Sequence, residues 1–467
     1  MIWTADHIVH HGRALANMGL SVAANGRIAA FAPLSALPPV DVNLRGQAIF
    51  PGRVNPYHHC LGTLERCMAQ AHPEAASRRP GGADAAADGW AAGLTPDDFY
   101  TVARSAFTRL LRCGVTCVGE VYALRYQPDG TSYAAPQAML DALLNAARDT
   151  GIRLSVIDSV RLRQPTPATL PTIQRQSAPH FEAACDGFDA LVGHIIGRRD
   201  PRLSWALGAH SLATVPYDAL VGLRVRLGHM PFFLGEVAGN HRTGHRPPTS
   251  GSLSLIDLIN RDLLDACVTH ATTAALSDDE ARALADVGTA VCLCLATDGT
   301  LAQTPRALWS SAHVPVPLLA SGAADPAYLG QGFADWPDPC AIDATARGPQ
   351  WRTAADCAGE MNMGAAKALG VDTGVFARGR WADFIAIDAP FSTLLAGSEA
   401  GAGPTSPGDA ADVAERLWRH LVVGPPENVV RHVVVGGIPS LRDGNHPLSA
   451  TSQVHLAALA ARLAAGN

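Results

Sequence analysis

Residues Pro51-Gly52-Arg53-Val54-Asn55-Pro56-Tyr57-His58-His59-Cys60 combine an apolar lead-in, Ala48-Ile49-Phe50, with two imidazoles. Such a run reads as a buried strand that delivers its last side chains to one end of the fold. Alternate residues of a strand share a face, so Tyr57 and His59 point the same way. Imidazoles presented there could hold a divalent ion or act as acid and base. Other groups able to do chemistry follow at strand-like positions: Glu120 with Tyr122, His210, Glu236, His270, and the pair Cys292 and Cys294. Glu236 and His270 together would make an acid/base pair. His270 alone reads equally as a satisfied core histidine. A carboxylate in a buried strand needs a partner, and Arg125 is the candidate for Glu120. Cys294 reads as packing, since no base that would activate it is visible.

The elements that must position these groups alternate. Strand candidates fall at 47–55, 116–121, 153–159, 203–209, 231–236, 266–270, 289–294 and 316–321. Helical segments such as 97–113, 136–150, 254–265 and 277–287 separate most of them. Eight strands alternating with helices predict an α/β fold, a (β/α)8 TIM-like barrel, over residues 51–374. Short strands with turns occupy residues 1–50 and return over 375–450. The economical reading pairs them into one small composite β-sandwich, leaving 451–467 as a C-terminal helix. Residues 72–89, 322–350 and 399–410 read as loops.

The chain has 467 residues, 48% hydrophobic and 17% charged, with a net charge of −6 and no basic run. That is the composition of a globular enzyme and argues against a nucleic-acid partner. No apolar segment reaches the length of a membrane span, and the first residues lack the features of a signal peptide. Ten cysteines without a C-x-x-C pair suggest reduced thiols and a cytoplasmic location.

The 51–60 stretch resembles the P-G-x-x-N-x-H-x-H opening of the barrel in the amidohydrolase superfamily. Within it, the chain resembles the formiminoglutamate deiminase family over most of its length. The supporting segments are Gly114-Val115-Thr116-Cys117-Val118-Gly119-Glu120, Asp129-Gly130-Thr131-Ser132-Tyr133, His210-Ser211-Leu212, Val268-Thr269-His270-Ala271-Thr272, Val435-Gly436-Gly437 and Arg442-Asp443-Gly444. Gly379-Arg380-Trp381-Ala382-Asp383-Phe384 resembles the superfamily's G-x-x-A-D-h turn and is read as structural.

The resemblance implies a divalent metal, usually zinc, held by three histidines and an aspartate, with a glutamate and a further histidine moving protons and arginines binding substrate carboxylates. Carried onto this sequence, most of that set is replaced. Tyr57 stands at the first histidine and His59 keeps the second. The fifth strand places either Phe233 at the ligand position with Glu236 as acid/base, or Gly235 with Ala238. Ser321-Gly322 stands where Ser-Asp closes the eighth strand. His270 keeps the sixth-strand histidine. Of the substrate groups, the arginine after H-S-L is Ala213, the glutamine after the first strand is Gly62, and the second-strand tyrosine falls on Ala123 beside Tyr122. The arginine-bearing segment is the alanine-rich 83–92 stretch.

These replacements suggest a deiminase-like protein that has lost metal-dependent hydrolysis, expects no cofactor, and serves as a binding or regulatory protein or does metal-free chemistry. The expected pocket is lined by Tyr57, His58, Glu120, Tyr122, His210 and Ser321, with His270 and Glu236 as residual chemistry and a small molecule in the barrel mouth. Two alternatives stay open. One is an active C–N hydrolase with a rearranged zinc site using His58, His59 and His270 with loop groups, the candidates being His229, His241, His245, His313 and Asp325. The other is a structural partner of a catalytic relative. The relatives make a homodimer the expected assembly.

Overall fold

A computed structural model describes residues 1–71, 93–127, 129–162, 177–212, 214–236, 253–295, 318–322, 324–326, 354–389, 407–422 and 426–464. The predicted loops 72–89, 322–350 and 399–410 lie wholly or mostly outside these residues.

Eight parallel strands follow one another around a barrel: β1 (Arg53–His58), β2 (Val115–Tyr122), β3 (Arg153–Val160), β4 (Leu203–Ser211), β5 (Phe232–Glu236), β6 (Val268–Thr272), β7 (Ala290–Cys294) and β8 (Leu318–Ala320). Each pairs with its sequence neighbour, for example Val156 with Trp205 and Leu234 with His270. The ring is drawn together at its rim by a bridge between His58 and Gly322. Side chains alternate between two cores. Tyr57, Cys117, Val121, Ile157, Phe233, Ala271, Cys292 and Ala320 pack together inside the barrel. Val118, Tyr122, Val156, Leu234 and Val291 belong to the core between the wall and its helices. Burial on both faces explains why these strands read as nearly unbroken apolar runs.

The helices start where their sequences allow it. In Pro96–Arg112, Thr95 and Asp98 form a reciprocal capping box and proline takes the first turn. Ser277 and Glu280 do the same for Asp278–Asp286. The expected helix 254–265 is shorter, ending after Leu255–Ile259, because Asp262 enters the left-handed region at φ 56°. The expected strand 47–55 divides at Gly52. Residues up to Pro51 pair with Phe384–Asp388, and the barrel begins at Arg53.

Strands from both chain ends build the second sheet. Its order is Ile438–Leu441, Val430–Val435, Phe384–Asp388, Val42–Pro51, Ile2–His10, Met18–Val22, Ile28–Pro33, with Arg13–Leu15 against Ile2–His10. A buried ion pair ties it to the barrel. Arg153, at the start of β3, makes two hydrogen bonds to Asp383, at 2.7 and 3.0 Å. Asp383 also accepts from the Gly436 amide and the Thr373 hydroxyl. The Arg153 guanidinium lies 4.4 Å from the centroid of Trp381. The G-x-x-A-D-h turn is thus the clamp between the two units. A C-terminal helix, Ser449–Ala464, packs on Pro96–Arg112 and Leu61–Ala71.

Candidate functional site

β1 delivers Tyr57 and His59 to the same face, their rings 5.2 Å apart and nearly perpendicular. Across the barrel, Phe233 lies against Tyr57 with centroids 5.8 Å apart. Both aromatic rings are almost fully buried. His59 sits beyond them toward the mouth. Burial, with His58 and Arg161 nearby, pulls its pKa down to about 3, so the imidazole is neutral at ordinary pH. His210, at the end of β4, is held well below its usual range by burial, Arg161 and His59. Two neutral imidazoles and one guanidinium therefore share this end of the barrel. Arg161 was not singled out in the sequence; the available signal was a cation just past the apolar run of the third strand.

On the fifth strand, space separates Phe233 from Gly235. A Cβ at Gly235 would fall 2.1 Å from the His210 carbonyl oxygen, so position 235 cannot carry a side chain. Phe233 faces Tyr57 in the barrel interior. Of the two candidates, Phe233 is therefore the one whose side chain occupies the barrel interior, and Glu236 ends the strand three residues later. Its Cα pairs with Ser211. Ala238 lies outside the described residues.

Where an aspartate would close β8, Gly322 adopts φ +53°. Its amide donates to the Tyr57 carbonyl at 3.1 Å, and its carbonyl accepts from the His59 amide at 2.9 Å. Next to it, the Asn55 amide nitrogen donates to Ser321 Oγ at 2.6 Å, and the Ser321 amide donates to Asn55 Oδ1 at 3.2 Å. Ser321, expected in the pocket, is fully buried in this seam.

His58 takes the other face of β1. Its Nδ1 lies 2.5 Å from Glu120 Oε2, and the second carboxylate oxygen accepts from the Cys60 amide at 2.7 Å. Glu120 alternates with Val118 and Tyr122 in the outer core, not with Cys117 and Val121 inside the barrel. The expectation that His58, Glu120 and Tyr122 line the mouth is thus corrected by strand alternation: all three are buried in the wall under the helices. Tyr122 donates its hydroxyl to the Leu124 carbonyl at 3.2 Å. The expected Arg125–Glu120 pair is also corrected. Arg125 lies 2.5 Å from Asp158, whose carboxyl is pushed up by burial against the pull of that arginine.

His270 is fully buried, and burial lowers its pKa to about 4; its Nδ1 is 3.2 Å from the Leu234 carbonyl. Its Cα is in register with Leu234 on β5, two residues before Glu236. Cys292 and Cys294 face the barrel interior, and burial drives the Cys292 thiol well up. Two of the proposed loop groups are corrected. His229 is exposed and precedes β5, at the end of the barrel away from the strand C-termini, and Asp325 is paired with Arg109 at 3.1 Å. His241, His245, His313, Ala213 and the 83–92 stretch lie wholly or mostly outside the described residues. Among the described residues, no three His, Cys, Asp or Glu side chains come together as a metal would need. No helix among them is long and apolar enough to cross a membrane.

No family model matches the chain. Over 389 residues it is 27% identical to a formimidoylglutamate deiminase of Pseudomonas aeruginosa, covering 76% of each protein. It is 25% identical over 425 residues to a 5-methylthioadenosine/S-adenosylhomocysteine deaminase of Natronomonas pharaonis, covering 85% of this chain and 82% of that one. Its fold matches an amidohydrolase from Brucella melitensis with a TM-score of 0.75 at 19% identity over 99% of both chains. An eight-stranded parallel barrel joined to a sheet from both termini, the shared motif order, and two deaminases matched over most of their length identify the chain as a member of the amidohydrolase superfamily.

Proposed function

We propose that this protein has exchanged the superfamily's metal-dependent hydrolysis for the binding of a small molecule at the barrel mouth. The observation that carries the reading is the Tyr57–Phe233 ring contact, made between two positions where metal-binding relatives would carry histidines. A benzyl ring offers no donor, and a phenol keeps its proton up to pH ~10 in ordinary surroundings. Gly322 removes the carboxylate as well. Of the implied ligands, His59 and His270 remain among the described residues, and His270 alternates with Ala271, which packs inside the barrel; that is fewer than the three protein ligands of a catalytic zinc. This donor set does not fit a tightly held divalent ion. What remains at the mouth is suited to recognition: the neutral imidazoles of His59 and His210 beside the Arg161 guanidinium. The test is metal analysis of protein purified without chelator, together with a deaminase assay on formiminoglutamate and adenosine-type substrates. Stoichiometric zinc or iron that disappears in His59→Ala would overturn the reading.

One observation favours the second reading, a C–N hydrolase with a displaced metal. His58 Nδ1 is held by Glu120 while its Nε2 is buried with no hydrogen-bond partner. A carboxylate on one ring nitrogen and a bare second nitrogen is how metal-ligating histidines are commonly oriented. Metal retained by His59→Ala but lost in His58→Ala would select that reading.

A further inference from the structure

Away from the barrel mouth, a cleft of about 300 Å³ opens between the helices Leu61–Ala71, Pro96–Arg112 and Ser449–Ala464. Its lining bears three guanidinium groups, Arg66, Arg109 and Arg112, against the single carboxylate of Asp325. Arg109 is already engaged by Asp325 and Glu427. Arg112 is half-buried and forms no ion pair among the described residues. The first turn of Ser449–Ala464 also borders the cleft, so the positive end of a four-turn helix adds to the field.

A second, independent observation concerns hydroxyls. Thr108 and Ser452 both line this cleft, both are at least 97% buried, and neither side-chain oxygen has a hydrogen-bond partner. A buried polar atom left unpaired is costly, and native proteins keep few of them. Two in one cavity, on different helices and beside an uncompensated guanidinium, are donors waiting for an acceptor.

We infer that this cleft is a binding site for a small molecule bearing an oxyanion, a phosphate or a carboxylate, held by Arg112 with the hydroxyls of Thr108 and Ser452. The anion accepts hydrogen bonds from the two hydroxyls and a charge-assisted pair from the guanidinium. The site uses none of the residues at the barrel mouth. It therefore stands or falls apart from the reading given above for that end of the fold.

The test is calorimetric titration of the full chain with inorganic phosphate and, separately, with succinate; the stronger of the two identifies the chemistry. Saturable binding is expected, weakened about tenfold or more in Arg112→Gln and unchanged in Arg45→Gln, an exposed control on the terminal sheet. Thr108→Val and Ser452→Ala guard against a misfolded variant. Each removes an unpartnered hydroxyl, so the unliganded protein should melt no lower than the parent while binding weakens several-fold. Absence of saturable binding by either anion would overturn the inference, as would affinity that Arg112→Gln leaves untouched. Ordered water alone would then be what satisfies the two hydroxyls.

Discussion

If the aromatic pair and Gly322 are what deny the barrel an ion, writing donors in at these positions should make the protein's stability depend on metal. The perturbation is Tyr57→His, Phe233→His and Gly322→Asp together. Its cost follows from the structure. The Tyr57–Phe233 contact at 5.8 Å contributes about 0.5–1.5 kcal/mol beyond its buried area. Two buried imidazoles without partners cost roughly 1–3 kcal/mol each. At φ +53° an L-residue at position 322 costs about 1–2 kcal/mol, and its Cβ would sit 3.1 Å from the Leu295 carbonyl oxygen. The metal-free triple variant should therefore be less stable than the parent by something on the order of 5 kcal/mol. Zinc at a thousand times its dissociation constant would restore ~4 kcal/mol. The assay is urea unfolding at 25 °C, with chelator and with zinc, for parent and variant. The reasoning predicts a large zinc-dependent shift of the midpoint in the variant and none in the parent. It is refuted if the parent gains as much from zinc as the variant, since the rings would then exclude nothing. A folded triple variant that gains nothing refutes it equally.

Three other outcomes are expected. Asp383→Ala should destabilise the protein by ~3–5 kcal/mol, because it leaves Arg153 charged and buried. Arg153→Met with Asp383→Leu should cost less than the single change, which chemical denaturation of the three proteins will show. Burial lowers the His270 pKa from 6.5 to about 4. The folded state thus binds fewer protons than the unfolded one in that window, so this contribution is complete above pH 6.5 and is lost as pH falls toward about 4. At ~1.4 kcal/mol per pKa unit it amounts to roughly 3 kcal/mol, and His270→Asn should flatten the stability profile between those limits. Glu120→Ala should cost about 2–4 kcal/mol by stranding both the buried His58 imidazole and the Cys60 amide. Glu120→Gln should cost less, as denaturation of the two variants will measure.

Much of the fold was legible because its signals are local. Buried strands of a parallel barrel read as short apolar runs, and capping pairs such as Thr95 with Asp98 mark where helices begin. The break between terminal sheet and barrel at Gly52 was not legible, since both strands are apolar and continuous in sequence. The sequence places Tyr57 and Gly322 where the family resemblance implies metal ligands, because strand-end motifs guide the alignment there. At Phe233 and Gly235 the sequence leaves two registers open, and the closeness of the His210 carbonyl to position 235 is visible only in the fold. The side on which His58, Glu120 and Tyr122 point depends on which residues of β1 and β2 face inward. Pattern alone could not assign that parity when both faces are buried. Arg125 illustrates the same gap. Its partner, Asp158, lies on the next strand, and sequence spacing favoured the nearer Glu120.

The central claim is that the described residues of the barrel lack the donors to grip a divalent ion. Its most direct test is the metal content per chain of protein expressed with zinc and iron in the medium and purified without chelator. The account predicts sub-stoichiometric metal that His59→Ala does not change. Near one equivalent per chain, lost on that substitution, would contradict it.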